Sequence, residues 1–488
     1  MVIESLKYKI LQQFGFAPTQ EQGQALDTFV SFLTDRDPQA VMILRGSAGT
    51  GKTSLSGAIV RTLLQIRQKV MLLAPTGRAA KVFSLGSGAP AYTIHRRIYR
   101  EKAFAGVDGQ FGLNDNLYTD TLFMVDEASM IANMGLGGTT FGSGCLLDDL
   151  VKFVYQGHND RLLLIGDKAQ LPPVGEEESP ALSASVMEGY GLKVYECDLN
   201  EVLRQSQSSG ILYNATLIRQ MITHDAVTGL PLIRFKGFAD IVMMPGAELV
   251  ESLGDSYHHV GMDETMVITR SNKRANIYNN GIRNMVLDRE EELSSGDMLM
   301  IVKNNYFWTE KEKKESGEGS AGAVPAFLAN GDRAKVLRVS NYIELYGFRF
   351  ATLLLQLPDY DDYEMQVTGM LDTLQSEAPA LTHEQQEELF RQVEEDYQHF
   401  VPLKADRMKS IRQDAYFNAL QIKYAYAVTC HKAQGGQWAH VYVDQGYMTD
   451  DMLTPDYIHW LYTAFTRATG KLFLVNWPKE QTCEPTDL

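Results

Sequence analysis

The sequence predicts an α/β protein built on parallel sheets. Short continuous apolar runs at 41–44, 70–74, 121–125 and 161–165 read as strands buried on both faces. Helix-like stretches alternate with them, beginning at 54–67, as crossover connections require. The polar motifs fall at the carboxyl ends of these runs, where ligands gather in open parallel sheets.

The first run leads into Gly46-Ser47-Ala48-Gly49-Thr50-Gly51-Lys52-Thr53. This fits the phosphate-cradling pattern G-x-x-x-x-G-K-[ST] at every fixed position. Glycines let backbone N–H groups curl around phosphate oxygens, and the following helix N-terminus favours negative charge. Lys52 is placed to reach the β- and γ-phosphates, and the Thr53 hydroxyl to hold Mg²⁺. ATP and Mg²⁺ are therefore the expected ligands. The loop segment Gly46, Ala48, Gly49, Thr50, Gly51 supplies the cradle.

The third run ends in Asp126-Glu127. One carboxylate can bind Mg²⁺ through its waters, and the next can position or deprotonate the attacking water. The fourth run leads into Gly166-Asp167-Lys168-Ala169-Gln170-Leu171-Pro172-Pro173, where Gln170 would sense the γ-phosphate. Upstream, Thr19 and Gln22 have capping-box spacing, so a helix begins there. Gln20 is either part of that helix start or an amide that reads adenine.

Composition narrows the classes. The 488 residues suggest two to four domains. No apolar run is long enough to span a membrane, and the N-terminus lacks the build of a signal peptide. The four cysteines are scattered, so neither a zinc ribbon nor a disulfide framework is suggested, and a reduced, cytoplasmic setting is expected. The net charge of −16 argues against a nucleic-acid coat protein. Basic residues nevertheless cluster at Arg78 with Lys81, at His95-Arg96-Arg97 and at His431-Lys432. Residues 359–396 are acidic, with Arg391 the only Lys or Arg among them.

Taken together, the motifs resemble those of superfamily 1B DNA helicases of the RecD/Dda/Pif class, over nearly the whole chain. Gln20 falls where that family's adenine-reading glutamine falls, and residues 46–53 match its phosphate loop. Ala74-Pro75-Thr76-Gly77-Arg78 and Thr93-Ile94-His95-Arg96 are similar to the next two motifs. Asp126-Glu127-Ala128-Ser129 and residues 166–174 follow in order. Val202-Leu203-Arg204-Gln205 and Tyr462-Thr463-Ala464-Phe465-Thr466-Arg467 are similar to two motifs that each direct an arginine at the γ-phosphate. Thr429-Cys430-His431-Lys432-Ala433-Gln434-Gly435 matches another, adding Gly435 to the nucleotide site.

The resemblance implies two RecA-like parallel-sheet domains: 1–98 with 119–205, and 206–330 with 421–488. It implies a pin or wedge hairpin at 99–118 and a small barrel of the Src-homology-three (SH3-like) kind at 331–420, here with an added acidic helix. It also implies ATP-driven 5′-to-3′ movement on single-stranded DNA, opening of forked duplex DNA, a monomer and no membrane. The strand would contact Pro75, Thr76, Arg78, His95, Pro172, Pro173, Thr429, His431 and Lys432, with Phe104 and Phe111 on the pin. Asp108-Gly109 between those phenylalanines reads as a tight hairpin turn. From 382 a helix is expected, with Leu389, Val393, Tyr397 and Phe400 along one face. A small-molecule kinase would share the phosphate loop and Mg²⁺, and an RNA helicase would share the rest.

Overall fold

In the computed structural model the described residues are all except 1, 106–107, 136–141, 203–207, 224–228, 317–323, 326 and 484–488. The chain forms two compact units. One comprises Met1–Met244, Ala433–Val443 and Tyr447–Leu488; the other comprises Pro245–Lys432 and Asp444–Gly446.

The first unit is built on strands β1 (Ala40–Gly46), β2 (Lys69–Ala74), β3 (Ala91–Thr93), β4 (Tyr99–Ala105), β5 (Asp108–Leu113), β6 (Thr121–Val125), β7 (Arg161–Gly166) and β8 (Lys193–Leu199). Six of them form a parallel sheet in the order β3-β2-β6-β7-β1-β8. Alternation of side chains splits each strand between two cores. Met42, Leu44, Leu72, Met124 and Leu163 enter one core, while Val41, Ile43, Leu73, Phe123 and Leu164 enter the other. Both faces of β1, β6 and β7 are thus covered, which is why those strands read as unbroken apolar runs. A further parallel set in this unit runs Trp438–Asp444, Ala468–Val475 and Ile241–Met244 in that order.

β4 and β5 pair as an antiparallel hairpin, from Tyr99 opposite Leu113 to Ala105 opposite Asp108. The expected turn at Asp108-Gly109 is therefore misplaced. Those residues lie in β5, paired with Ala105 and Phe104, and the connection is 106–107, outside the described residues.

In the second unit Thr265–Thr269 runs parallel to Ala427–Thr429. A closed barrel follows from Met298–Ile301, Arg333–Leu345, Phe348–Leu357, Tyr363–Met370 and Leu420–Tyr424. The barrel is wider in sequence than 331–420. Its first strand comes earlier and its last ends at Tyr424, pairing with each other through Leu299 and Tyr424. The helix His383–Gln398 begins at Thr382 with the expected reciprocal cap to Gln385. Leu389 and Val393 are buried, but Phe400 lies past the helix and is 79% exposed.

One buried carboxylate ties this unit together. Asp297, fully buried, accepts from Arg283 Nε at 3.1 Å, Arg289 Nη1 at 2.6 Å, Tyr426 Oη at 2.8 Å and the Ser294 N–H at 2.7 Å. Removing it leaves the buried Arg283 without its counter-charge. Asp297→Ala is expected to destabilise the second unit by about 3–5 kcal/mol, the usual consequence of breaking one partner out of a buried pair. Calorimetric unfolding of the variant beside the parent checks this, and an unchanged transition would show that the cluster carries no stability.

Candidate nucleotide and strand site

The phosphate loop leaves β1 at Gly46 and enters the helix Lys52–Gln65. Gly49 and Gly51 have φ of 77° and 79°, a region open mainly to glycine. At Gly46 the constraint is space, since a Cβ would lie 2.7 Å from Lys52 Cγ. Lys52 donates Nζ to the Gly46 carbonyl and lies 4.0 Å from Asp167 Oδ2. The Ala48 N–H points at Tyr462 Oη, 3.0 Å away, and that hydroxyl donates to Asp167 Oδ2 at 2.6 Å. Burial and the Asp167 charge push the Tyr462 phenol far up, so it stays a neutral donor.

Beside the loop, Asp126 and Glu127 leave β6. Asp126 Oδ1 accepts from the Glu127 N–H at 2.9 Å. Burial and the neighbouring Glu127 charge push the Asp126 carboxyl up to about 7, while Lys52 pulls it back. Glu127 sits at φ 53°, an unusual value for a side-chain-bearing residue, and this turns it out of the strand direction. Gln170 bridges Glu127 and Arg467. In the amide orientation that its neighbours satisfy, its NH₂ donates to Glu127 Oε2 at 3.2 Å and its carbonyl accepts from Arg467 Nη2 at 3.2 Å. Arg467 is 2% exposed, and its other donors meet the Thr463 carbonyl at 3.1 Å, the Gly436 carbonyl at 3.1 Å and Thr466 Oγ1 at 3.2 Å.

The Thr53 hydroxyl is on an exposed residue at the helix start, and Asp126 lies in a like-charged pair. Hard oxygen donors in an unneutralised acidic corner suit Mg²⁺, which is commonly held by one or two protein groups and substrate phosphates. Among the described residues no group of three or more His, Cys, Asp or Glu gathers into a metal cage. An ion here would rest on Thr53 and Asp126.

The glutamine tied to the loop is Gln22, not Gln20. Gln22 is 1% exposed; its carbonyl accepts from the Thr19 N–H at 3.0 Å and its NH₂ donates to the Thr50 carbonyl at 2.9 Å. Gln20 is exposed on the first turn of the helix Gln20–Leu33. Gly435, expected at the nucleotide, has φ 73° and lies against the other motif. A Cβ there would sit 3.0 Å from both Thr76 Oγ1 and Ala79 Cβ. Arg204 lies outside the described residues.

The candidate strand contacts divide between the units. In the first, Pro75 and Thr76 are half-buried at the end of β2, and Thr76 caps the helix Gly77–Ser87 through the Ala79 N–H. Arg78 stacks 4.5 Å over Trp438 and donates to the Gln437 carbonyl at 2.7 Å. His95 is half-buried, and burial pushes its pKa down to about 4, so it is neutral near pH 7. Pro172 and Pro173 are buried, and Leu171 before them is fastened by its N–H to Thr463 Oγ1 and by its carbonyl to Gln434. Phe111 packs partly buried against the β-sheet core, and the Phe104 side chain is outside the described set. In the second unit Thr429 is half-buried at a strand end, His431 is exposed, and Lys432 donates Nζ to Asn330 Oδ1. Burial and the nearby Lys423 ammonium push Lys432 down to about 8.

Comparison with known proteins matches residues 17–229 to an AAA domain and residues 424–475 to a UvrD-like helicase C-terminal domain. The ATP-dependent RecD2 DNA helicase of Deinococcus radiodurans is 30% identical over 157 residues, 32% of this chain and 18% of that protein. An uncharacterized protein of Methanocaldococcus jannaschii is 33% identical over 168 residues, covering 32% of this chain and 13% of its own. An uncharacterized protein of Acanthamoeba polyphaga mimivirus is 21% identical over 507 residues, with 90% and 96% covered. The chain thus spans less than a fifth of the first two of these relatives. Among solved structures, Pif1 helicase at forked double-stranded DNA aligns with TM-score 0.46 and 13% identity over 96% of this chain and 95% of that one. Pif1 helicase from Candida albicans aligns with TM-score 0.41 and 16% identity over 96% of each. A P-loop module is thus matched along the first part of the chain and a UvrD-like helicase module along its last, and the motifs between them stand at the ends of parallel strands.

Proposed function

We propose that the protein is a DNA-dependent ATPase that moves 5′-to-3′ on single-stranded DNA and opens forked duplexes. The hydrogen-bonded row Glu127–Gln170–Arg467 carries this reading. Lys52 neutralises charge on the β- and γ-phosphates. Glu127 orients the attacking water and takes its proton. Mg²⁺, when bound at Thr53 and Asp126, offsets charge between the phosphates. Gln170 couples the water-side carboxylate to Arg467, and the same loop meets Thr463 and Gln434 through the Leu171 backbone at 2.8 and 2.7 Å. A change at the γ-phosphate therefore reaches the segment 433–437, which holds Arg78 and abuts Thr76. A kinase needs no such link from its water-side carboxylate to a strand-binding segment.

Forked duplexes with a 5′ or a 3′ tail test the whole reading. Unwinding of the 5′-tailed fork with ATP and Mg²⁺ is expected. Opening of the 3′-tailed fork alone would reverse the polarity, an equal response to RNA tracks would remove the DNA assignment, and ATP turnover indifferent to nucleic acid would favour the kinase.

Lys52→Ala should abolish ATP hydrolysis while strand affinity stays close to the parent value, because the lysine faces the phosphate loop. Fluorescence anisotropy with a labelled oligonucleotide, beside a phosphate-release assay, checks both halves. Glu127→Gln should lower kcat by about 10²–10⁴, the range for loss of a general base, with little change in the KM for ATP. A variant with parental kcat would remove Glu127 from the proton path.

Strand affinity should also fall with pH. Lys432 carries its charge below about 8 and loses it above, so phosphate contact weakens as pH rises from 7 to 9. Lys432→Gln should flatten that part of the profile; a profile identical to the parent's would exclude Lys432 from the track.

A further inference from the structure

Of the two arginines expected to meet the γ-phosphate, Arg204 lies outside the described residues and Arg467 is engaged in this structure. Its guanidinium holds two backbone carbonyls, Thr466 Oγ1 and Gln170, at 2% exposure. Reaching a phosphate would require it to release several of these bonds at once.

A further arginine stands at the phosphate loop itself. The helix Gly210–Thr223 is anchored at its start, where Asp240 accepts from Ser209 Oγ at 2.5 Å and from the Gly210 N–H at 2.7 Å. From there one face runs along the loop. Leu212 packs so close that a Cβ on Gly49 would lie 3.2 Å from its Cδ2. Seven residues on, and so on the same face, Arg219 donates Nη1 to Ser47 Oγ. A longer contact of 3.4 Å joins the same nitrogen to Asn200 Oδ1. Arg219 is half-buried, and its charge is felt at the Tyr462 hydroxyl on the far side of Ala48.

The first turn of the loop is therefore ringed by a guanidinium on Ser47, an ammonium on Gly46 and an N–H at Ala48 held by a phenol. Three donors converge on one turn, and their present acceptors are a hydroxyl, a carbonyl and a neutral phenol. A phosphate oxygen is a better acceptor for each, since it brings a negative charge that the hydroxyl, carbonyl and phenol lack.

We infer that Arg219 is a further catalytic arginine, which leaves Ser47 for the γ-phosphoryl group. The inference rests on the ATPase reading above. In the step concerned, the water oxygen bonds to the γ-phosphorus as the bond from that phosphorus to the β–γ bridging oxygen breaks. ADP leaves with the electron pair, and the water proton passes to Glu127. Charge on the transferring group's oxygens is what the Arg219 fork neutralises.

The test uses the full chain with Arg219→Gln and Arg219→Lys. Glutamine keeps a donor for Ser47 but no charge; lysine keeps charge without the planar fork. DNA-stimulated hydrolysis is measured with binding of ADP and of ADP–aluminium fluoride. Arg219→Gln should lower kcat on the order of 10³-fold, the scale of a lost arginine finger, leave ADP affinity within a few-fold and lose the tighter binding of the fluoride complex. Arg219→Lys should recover part of both. Parental turnover in Arg219→Gln overturns the assignment, as does an equal loss of ADP and fluoride-complex affinity with no recovery in Arg219→Lys, which marks a tie that merely shapes the loop. If the parent hydrolyses ATP and the variant matches it, only Arg219 falls. If the parent itself is inactive, the ATPase reading falls with it.

Discussion

The site depends on how the backbone of the 167–171 segment is held. This stretch has no regular secondary structure, yet it is largely buried, so its polar groups need partners from elsewhere. They find them in the chain's last quarter. The Leu171 N–H goes to Thr463 Oγ1, the Leu171 carbonyl to Gln434, and the Ala169 and Gln170 carbonyls to His459 Nδ1. Asp167 takes the Tyr462 hydroxyl and its own loop's Ala169 N–H. Three of these partners, His459, Tyr462 and Thr463, lie on the helix Pro455–Phe465. Gln170 can bridge Glu127 and Arg467 because its own backbone cannot drift.

On the ATPase reading, that arrangement would make this end of the sheet a responsive element as well as a binding one. Lys52, Ala48 and Ser47 all have protein acceptors or donors in place of phosphate. On the reading proposed above, phosphate would exchange those partners and leave Tyr462 to act on Asp167 alone. Since Tyr462 and Thr463 are adjacent on one helix, a shift at the first would reach the Leu171 bond at the second. The bonds that would carry it are neighbouring hydrogen bonds of 2.6 to 3.0 Å in a buried region, where each is expensive to leave unmade.

Much of this was legible in the sequence where the chemistry needs a residue type at a fixed spacing. The phosphate loop, the Asp126-Glu127 pair and both capping boxes stand where the spacing put them. The parallel sheet was legible because burial on both faces removes polar residues from its central strands. The differences have separate physical causes. Gln20 and Gln22 sit on the same helical turn, and only packing selects Gln22 for Thr50. Asp108-Gly109 has turn chemistry, but the register of β4 against β5 places the connection two residues earlier. Pro172 and Pro173, expected at the strand, are buried next to the fastened Leu171. The barrel borrows its first and last strands from beyond the segment that looked β-rich, because closure needs partners for both edges. Arg219 carries no local signal at all. It is one arginine on an ordinary helix, and its place follows from Leu212 seven residues before it meeting Gly49.

The glycine at 49 then has two roles that reinforce each other. Its φ of 77° gives the loop its curl, and the missing Cβ lets Leu212 approach the turn from outside. A side chain there would both strain the backbone and push the helix Gly210–Thr223 away. Displacing that helix would carry Arg219 off Ser47. The cradle that admits phosphate and the seat of an arginine outside it are thus set by the same absent atom, so the loop motif constrains more of the molecule than the eight residues that define it.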